Sequence, residues 1–274
     1  EIKPLEDILG PFTWMTGTNE RILSESLDES LADYNSLWIV DEEFENSRTW
    51  GKKHLVPFGE YIPEIARLAA KEFQEFICLE SRKWKYDFAI QRGKMFGVLV
   101  VQGEDNQCFY LGTVSGKLPY NVICNQFIPS VFDDTVGDFF IHKGMKQLSE
   151  ISIQIKNSKN PSEISLFKER RKQKSIALQK RLFENYNFLN LSGEIKNLVE
   201  IFKHSSYQNP PSAAGECAAP KLLHYAFKHD LKPIALAEFW WGSISKNKEK
   251  EHAEFYPACK NRCRPILEYM LEDR

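Results

Sequence analysis

APKLLHYAFKHDLKPIALAEFWWG, residues 219–242, decides the fold class because one kind of element gives way to another inside it. APKLLHYAFKHD (219–230) reads as a helix with Pro220 in its first turn, where the missing N–H costs no hydrogen bond. PIALAEFWWG (233–242) is a short apolar run that reads as a buried strand. Helix followed directly by strand makes this an α/β unit. Downstream, SKNKEKEH (245–252) is a solvated loop, and FYPACKNRC (255–263) leads into a last helix, RPILEYMLE (264–272). Upstream, the polar, Pro-containing HSSYQNPPSAAG (204–215) separates the unit from what precedes it.

From Met145 to about Asn187 the pattern is mostly helical, with a break at Asn157–Pro161. Inside it KERRKQK (168–174) holds no apolar residue. A helix with no apolar face has nothing to bury, so an arm projecting into solvent is expected. Nearer the start, Ile65, Leu68, Ala69, Phe73, Phe76 and Ile77 fall on one helical face and predict a helix over 64–79. MFGVLVVQ (95–102) and CFYLGTV (108–114) are β-rich, and Gly103, Glu104, Asp105 and Asn106 supply turn chemistry, so a hairpin is expected. Residues 115–142 are loop-rich. In the front piece, WMTGTNERI (14–22) and YNSLWIVDEEF (34–44) suggest two strands, and HLVPFGEYIP (54–63) a loop. The expectation is an α+β protein of small mixed sheets, a long helical arm and a C-terminal α/β unit. Its pieces are 1–63, 64–144, 145–203 and 204–274.

Composition narrows the function. The 274 residues carry a net charge of −2, so any basic surface is local. No apolar stretch reaches the roughly 18 residues a membrane helix needs, so no membrane segment is expected. EIKPLEDILG does not read as a signal peptide, and the absent initiator Met suggests a piece or a processed product. Six sparse cysteines fit a reducing cytoplasm better than a secreted disulfide framework. Nothing in composition or pattern sets the oligomeric state.

Two resemblances follow from longer strings. YNSLWIVDEEF with WGKKHLVPFGEYIP (50–63) resembles apolipoprotein N-acyltransferase, a nitrilase-like carbon–nitrogen hydrolase. The resemblance implies an oxyanion-stabilising Lys at Lys52 and matches the motif's Glu at Glu60. The nucleophilic Cys is not where that family has it: Cys78 follows Lys52 by only 26 residues and sits on a predicted helix. A lone Lys cannot run acyl transfer, so a fragment without chemistry is expected.

The second resemblance begins at Ile65. IARLAAKEFQEF, GKMFGVLVVQ, LGTVSGKL, FIPSVFD, KSIALQKRLFENYNFLN, PPSAAGECAAPKLLHYAF, LKPIALAEFWWG and FYPACKNRCRPIL occur in order. Together they are similar to the non-catalytic front region of bacterial large-subunit-type RNA pseudouridine synthases. In that family the catalytic Asp stands in an H-R-L-D loop, which is absent here. The resemblance implies an accessory region that engages ribosomal or transfer RNA, with no catalysis by the chain as it stands. A carbon–nitrogen hydrolase or N-acyltransferase-like enzyme fragment and a protein-interaction module are the alternatives.

Three constellations are candidates for chemistry. Cys217 precedes one helix and the Cys259–Cys263 pair another, a layout that resembles zinc deaminases. Three thiolates would hold zinc with a fourth ligand from water, His224 or His252. Ala219 stands where deamination would need a Glu, so any zinc bound here is expected to be structural rather than to run that reaction. Reduced core cysteines or a disulfide are the other readings. Next, Lys168, Arg170, Arg171, Lys172, Lys174, Lys180 and Arg181 repel one another, and a polyanion such as RNA would relieve them. A solvated helix with local acidic partners is the alternative. Finally, Phe239, Trp240 and Trp241, with Phe255 and Tyr256, are candidates for base stacking or for core. His54, His142, His204 and His229 show no ligand pattern.

Overall fold

A computed structural model describes residues 62–272 other than 85, 104–107, 119–121, 123, 133–139, 204 and 246–248. The front piece, with Lys52 and Glu60, lies outside the described residues. The described part is an α+β protein, helices with small antiparallel sheets.

Strand β1 (Lys94–Gln102) lies between β2 (Cys108–Val114) and β5 (Lys232–Trp241), antiparallel to both. Segments 64–144 and 204–274 therefore share one sheet. The near-unbroken apolar run of β1 is explained by cover on both faces. Phe96, Val98 and Val100 join one core with Ala235, Ala237 and Phe239 of β5. Leu99 and Val101 join the other with Leu236. Period 2 does the sorting. The pairing of β1 with β5 shifts register between Val100 and Val101, and Pro233 sits at the shift, where a strand tolerates a residue without N–H.

The first face is covered by α1 (Glu64–Lys83), which buries Ile65, Ala69, Phe73, Phe76 and Ile77. Phe73 is the hub of this layer. The rings of Phe76, Phe96, Tyr110, Phe127 and Phe239 stand 5.4 to 6.3 Å from it. The second face is covered by α5 (Ala218–Lys228), with α4 (Leu198–Lys203) and α6 (Arg264–Met270) packed behind. A small hairpin, β3 (Asn187–Leu189) with β4 (Ile195–Asn197), flanks this layer. Gly97 lets α5 approach: a Cβ there would lie 2.8 Å from the Ala218 Cβ and 3.4 Å from the Glu238 Cγ.

The arm is a pair of helices. Helix α2 (Phe140–Asn157) runs into α3 (Pro161–Asn185) through a short break. Asn160 caps α3, its side chain accepting from the Ser162 N–H at 3.0 Å, and Pro161 follows in the first turn. Phe183 is the one residue of α3 that is buried. KERRKQK does not project alone, because it lies against α2. Arg171 Nε donates to Ser152 Oγ at 2.8 Å, and Lys174 Nζ to Gln147 Oε1 at 3.0 Å. Polar rungs hold the two helices together where the sequence offers no apolar knobs. Among the described residues no helix is long and apolar enough to cross a membrane.

Candidate metal centre and basic groove

The three cysteines singled out by spacing converge. Cys217 is the N-cap residue of α5, in extended conformation and making no side-chain cap. Cys259 and Cys263 lie one turn apart; the Cys259 carbonyl accepts from the N–H of Cys263 and of Arg264, each at 3.2 Å. The sulfurs of Cys217 and Cys259 are 3.9 Å apart, those of Cys259 and Cys263 3.1 Å, and all three fall within 4.8 Å of one another. Cys259 is exposed, Cys217 half-buried and Cys263 buried, so the cluster opens to solvent on one side.

Its electrostatics single out Cys259. The Cys217 and Cys263 thiols hydrogen-bond to it, the N–H groups of Arg262 and Cys263 add to them, and its thiol is held well below the ordinary range. The same contacts push Cys217 and Cys263 up, with burial adding to the effect.

The two candidate histidines stand elsewhere. Nδ1 of His224 accepts from the Leu189 N–H at 3.2 Å, and its ring meets Phe188 edge-on. Nδ1 of His252 accepts from the Gly242 N–H at 3.0 Å, and its ring packs on Trp241. Neither joins the group of ligand atoms formed by the cysteines. Glu216, next to Cys217, is occupied too: Tyr186 OH donates to it, and its Oε2 lies 3.4 Å from Lys221 Nζ. Lys221 is buried to 2% exposure, and its Nζ also donates to the Val114 and Gly116 carbonyls. Burial holds its pKa down against the pull of Glu216.

Glu238 is the residue that the spacing argument missed. Alternation along β5 puts it on the α5 face with Leu236. Its Oε1 accepts from the Ala219 N–H at 3.1 Å, so the strand caps the helix that Cys217 leaves uncapped. Burial raises its pKa to about 7, and the nearby Cys259 adds to the rise. A lone acidic residue in an apolar strand, ALAEFWW, was the available signal. The carboxylate absent from position 219 is thus supplied beside it, from another element.

The arm distributes its basic residues unevenly. Lys168, Arg171 and Lys172 line a groove of about 520 Å³ with Ser152, Ile155, Ser175 and Ile176. Arg181 lies over the Phe140 ring at 4.3 Å, and Lys180 is 3.9 Å from Glu184. Lys168, Arg170 and Lys172 have no partner among the described residues. The aromatic candidates pack inward. Phe239 and Trp240 are buried, Trp240 Nε1 donates to the Ser243 carbonyl at 2.8 Å, and Trp241 is half-buried. Phe255 packs against Phe239, and Tyr256 is half-buried with its hydroxyl accepting from the Glu251 N–H.

No protein-family model, curated protein or solved structure matches the chain.

Proposed function

We propose that the chain is an RNA-associated accessory region of the kind that stands ahead of the synthase domain in RNA pseudouridine synthases, and that the α2–α3 hairpin meets the RNA. The groove between the two helices carries this reading. Three cationic side chains and two serine hydroxyls converge there, and two of the cations, Lys168 and Lys172, have no partner among the described residues. A phosphate backbone supplies the missing anions and releases its counterions on binding. The ordered set of strings from Ile65 onward supports the family assignment.

The test is binding of single-stranded RNA to the full chain across a salt series. Affinity should fall with a log–log slope of about −0.7 per phosphate contact. Absence of binding at low salt, or binding insensitive to salt, overturns the reading. A second reading is favoured by one observation: Met145, Ile153, Leu166 and Ile176 are large apolar residues on the same hairpin and are more than half exposed. They suit a protein partner, and apolar, salt-tolerant capture of such a partner would put that reading first.

A further inference from the structure

The sulfurs of Cys217, Cys259 and Cys263 come from two segments, yet they share a volume the size of one ion's coordination sphere. A tetrahedral zinc with bonds of about 2.3 Å spaces its sulfurs about 3.8 Å apart. The Cys217–Cys259 separation of 3.9 Å fits this directly. The Cys259–Cys263 separation of 3.1 Å has to open by several tenths of an ångström, and Cys259 has room because it is exposed. The donors are soft and uniform, which selects zinc and its thiophilic relatives over calcium or magnesium.

The fourth position is what gives the site its character. His224 and His252 spend their Nδ1 atoms on backbone N–H groups, Glu216 is tied to Lys221 and Tyr186, and Glu238 caps α5. No further protein ligand atom completes the group among the described residues. We propose that Cys217, Cys259 and Cys263 bind one zinc ion as three thiolates and that the fourth ligand is an exchangeable solvent molecule on the open, Cys259 side. The centre is then of the open kind, able to accept an external ligand, rather than a sealed four-cysteine knot. Glu238 is a positioning residue: by holding the Ala219 N–H it fixes the first turn of α5 and with it the direction of Cys217. This inference does not depend on RNA binding by the arm.

The experiment uses the full chain. Purified under reducing conditions, it should carry about one zinc per chain by elemental analysis. Cys259→Ser and Cys217→Ser should drop this to about a tenth or less. Cys124→Ser, at a cysteine away from the cluster, should leave it unchanged. Cobalt exchanged for zinc should give a thiolate-to-cobalt charge-transfer band. Millimolar imidazole should then shift the visible cobalt bands, because it replaces the solvent ligand. Folded, metal-free protein that takes up no added zinc overturns the site, as does a Cys259–Cys263 disulfide in protein kept reduced. Cobalt bands that ignore imidazole overturn the open position, since a fourth protein ligand would then close the shell.

Discussion

The sandwich and the arm are built on opposite terms. In the sandwich, β1 is covered on both sides, and its core positions from Phe96 to Val101 are at most 1% exposed. In the arm, α3 runs 25 residues and buries Phe183 alone. The first region gains its stability from apolar area removed from water, at about 25 cal/mol per Å². The second is held by pairing with α2, much of it polar, and each such exposed contact contributes little. Stability and the proposed RNA contact are therefore separable here. Changes in the sandwich should act on folding, and changes along the outer arm should act on binding.

The sharpest way to break this contrast is to remove Phe73. It is 1% exposed, and five other aromatic rings pack around it. Phe73→Ala should destabilise the chain by about 3–5 kcal/mol, through lost transfer energy and the cavity left between α1 and the sheet. Urea unfolding should show a lower midpoint at an unchanged slope. A loss under about 1 kcal/mol would mean that this layer repacks freely and that the sandwich is no tighter than the arm.

This contrast also separates what was legible in the sequence from what was not. Local periodicity located α1, although the helix runs on to Lys83, and it located the β1–β2 hairpin, α5, β5 and the break before Pro161. It did not show that β1 pairs with β5, because a register between strands more than 100 residues apart leaves no local mark. The β3–β4 hairpin was missed for a different reason: three-residue strands are too short to show a period. At the site, cysteine spacing named all three members of the cluster. It could not exclude His224 or His252, whose orientation depends on backbone N–H groups from other elements. Glu238 escaped notice because its role depends on a helix end that only the tertiary fold brings to it.

A medium effect is expected where the sandwich meets its flanking hairpin. His224 accepts from the Leu189 N–H through Nδ1, and protonation there would abolish that bond. Burial, with Lys228 and His229 adding to it, lowers its pKa from 6.5 to about 4. The unfolded chain takes up the proton near pH 6.5, whereas the folded chain resists until about pH 4. Stability is therefore complete above pH 6.5 and is lost as pH falls toward 4. With a discount for the ring's partial exposure, the loss is about 1–2 kcal/mol. Thermal melts across this window should show it in the parent, and His224→Gln should flatten it. An equal decline in both would assign the acid sensitivity to other groups.

The smallest effect on stability is expected in the arm, and there the comparison can be made sharper within a single helix. Lys168 and Lys172 are four residues apart, so they share a face, and both line the groove with Ser152 and Ser175. Arg170 is two residues from each. At about 100° per residue it faces away from the groove. All three are exposed. Replacing Lys168 and Lys172 with Gln, or Arg170 alone, should move stability by no more than about 0.5 kcal/mol, because neither change opens a cavity or strands a buried partner. Binding should distinguish them. If phosphates run along the groove, the double variant should flatten the salt slope by roughly 1.4 units, two contacts at about 0.7 each, while Arg170→Gln leaves it unchanged. If both variants flatten the slope in proportion to charge removed, the arm acts as a diffuse cation, and the groove has no special part in holding RNA.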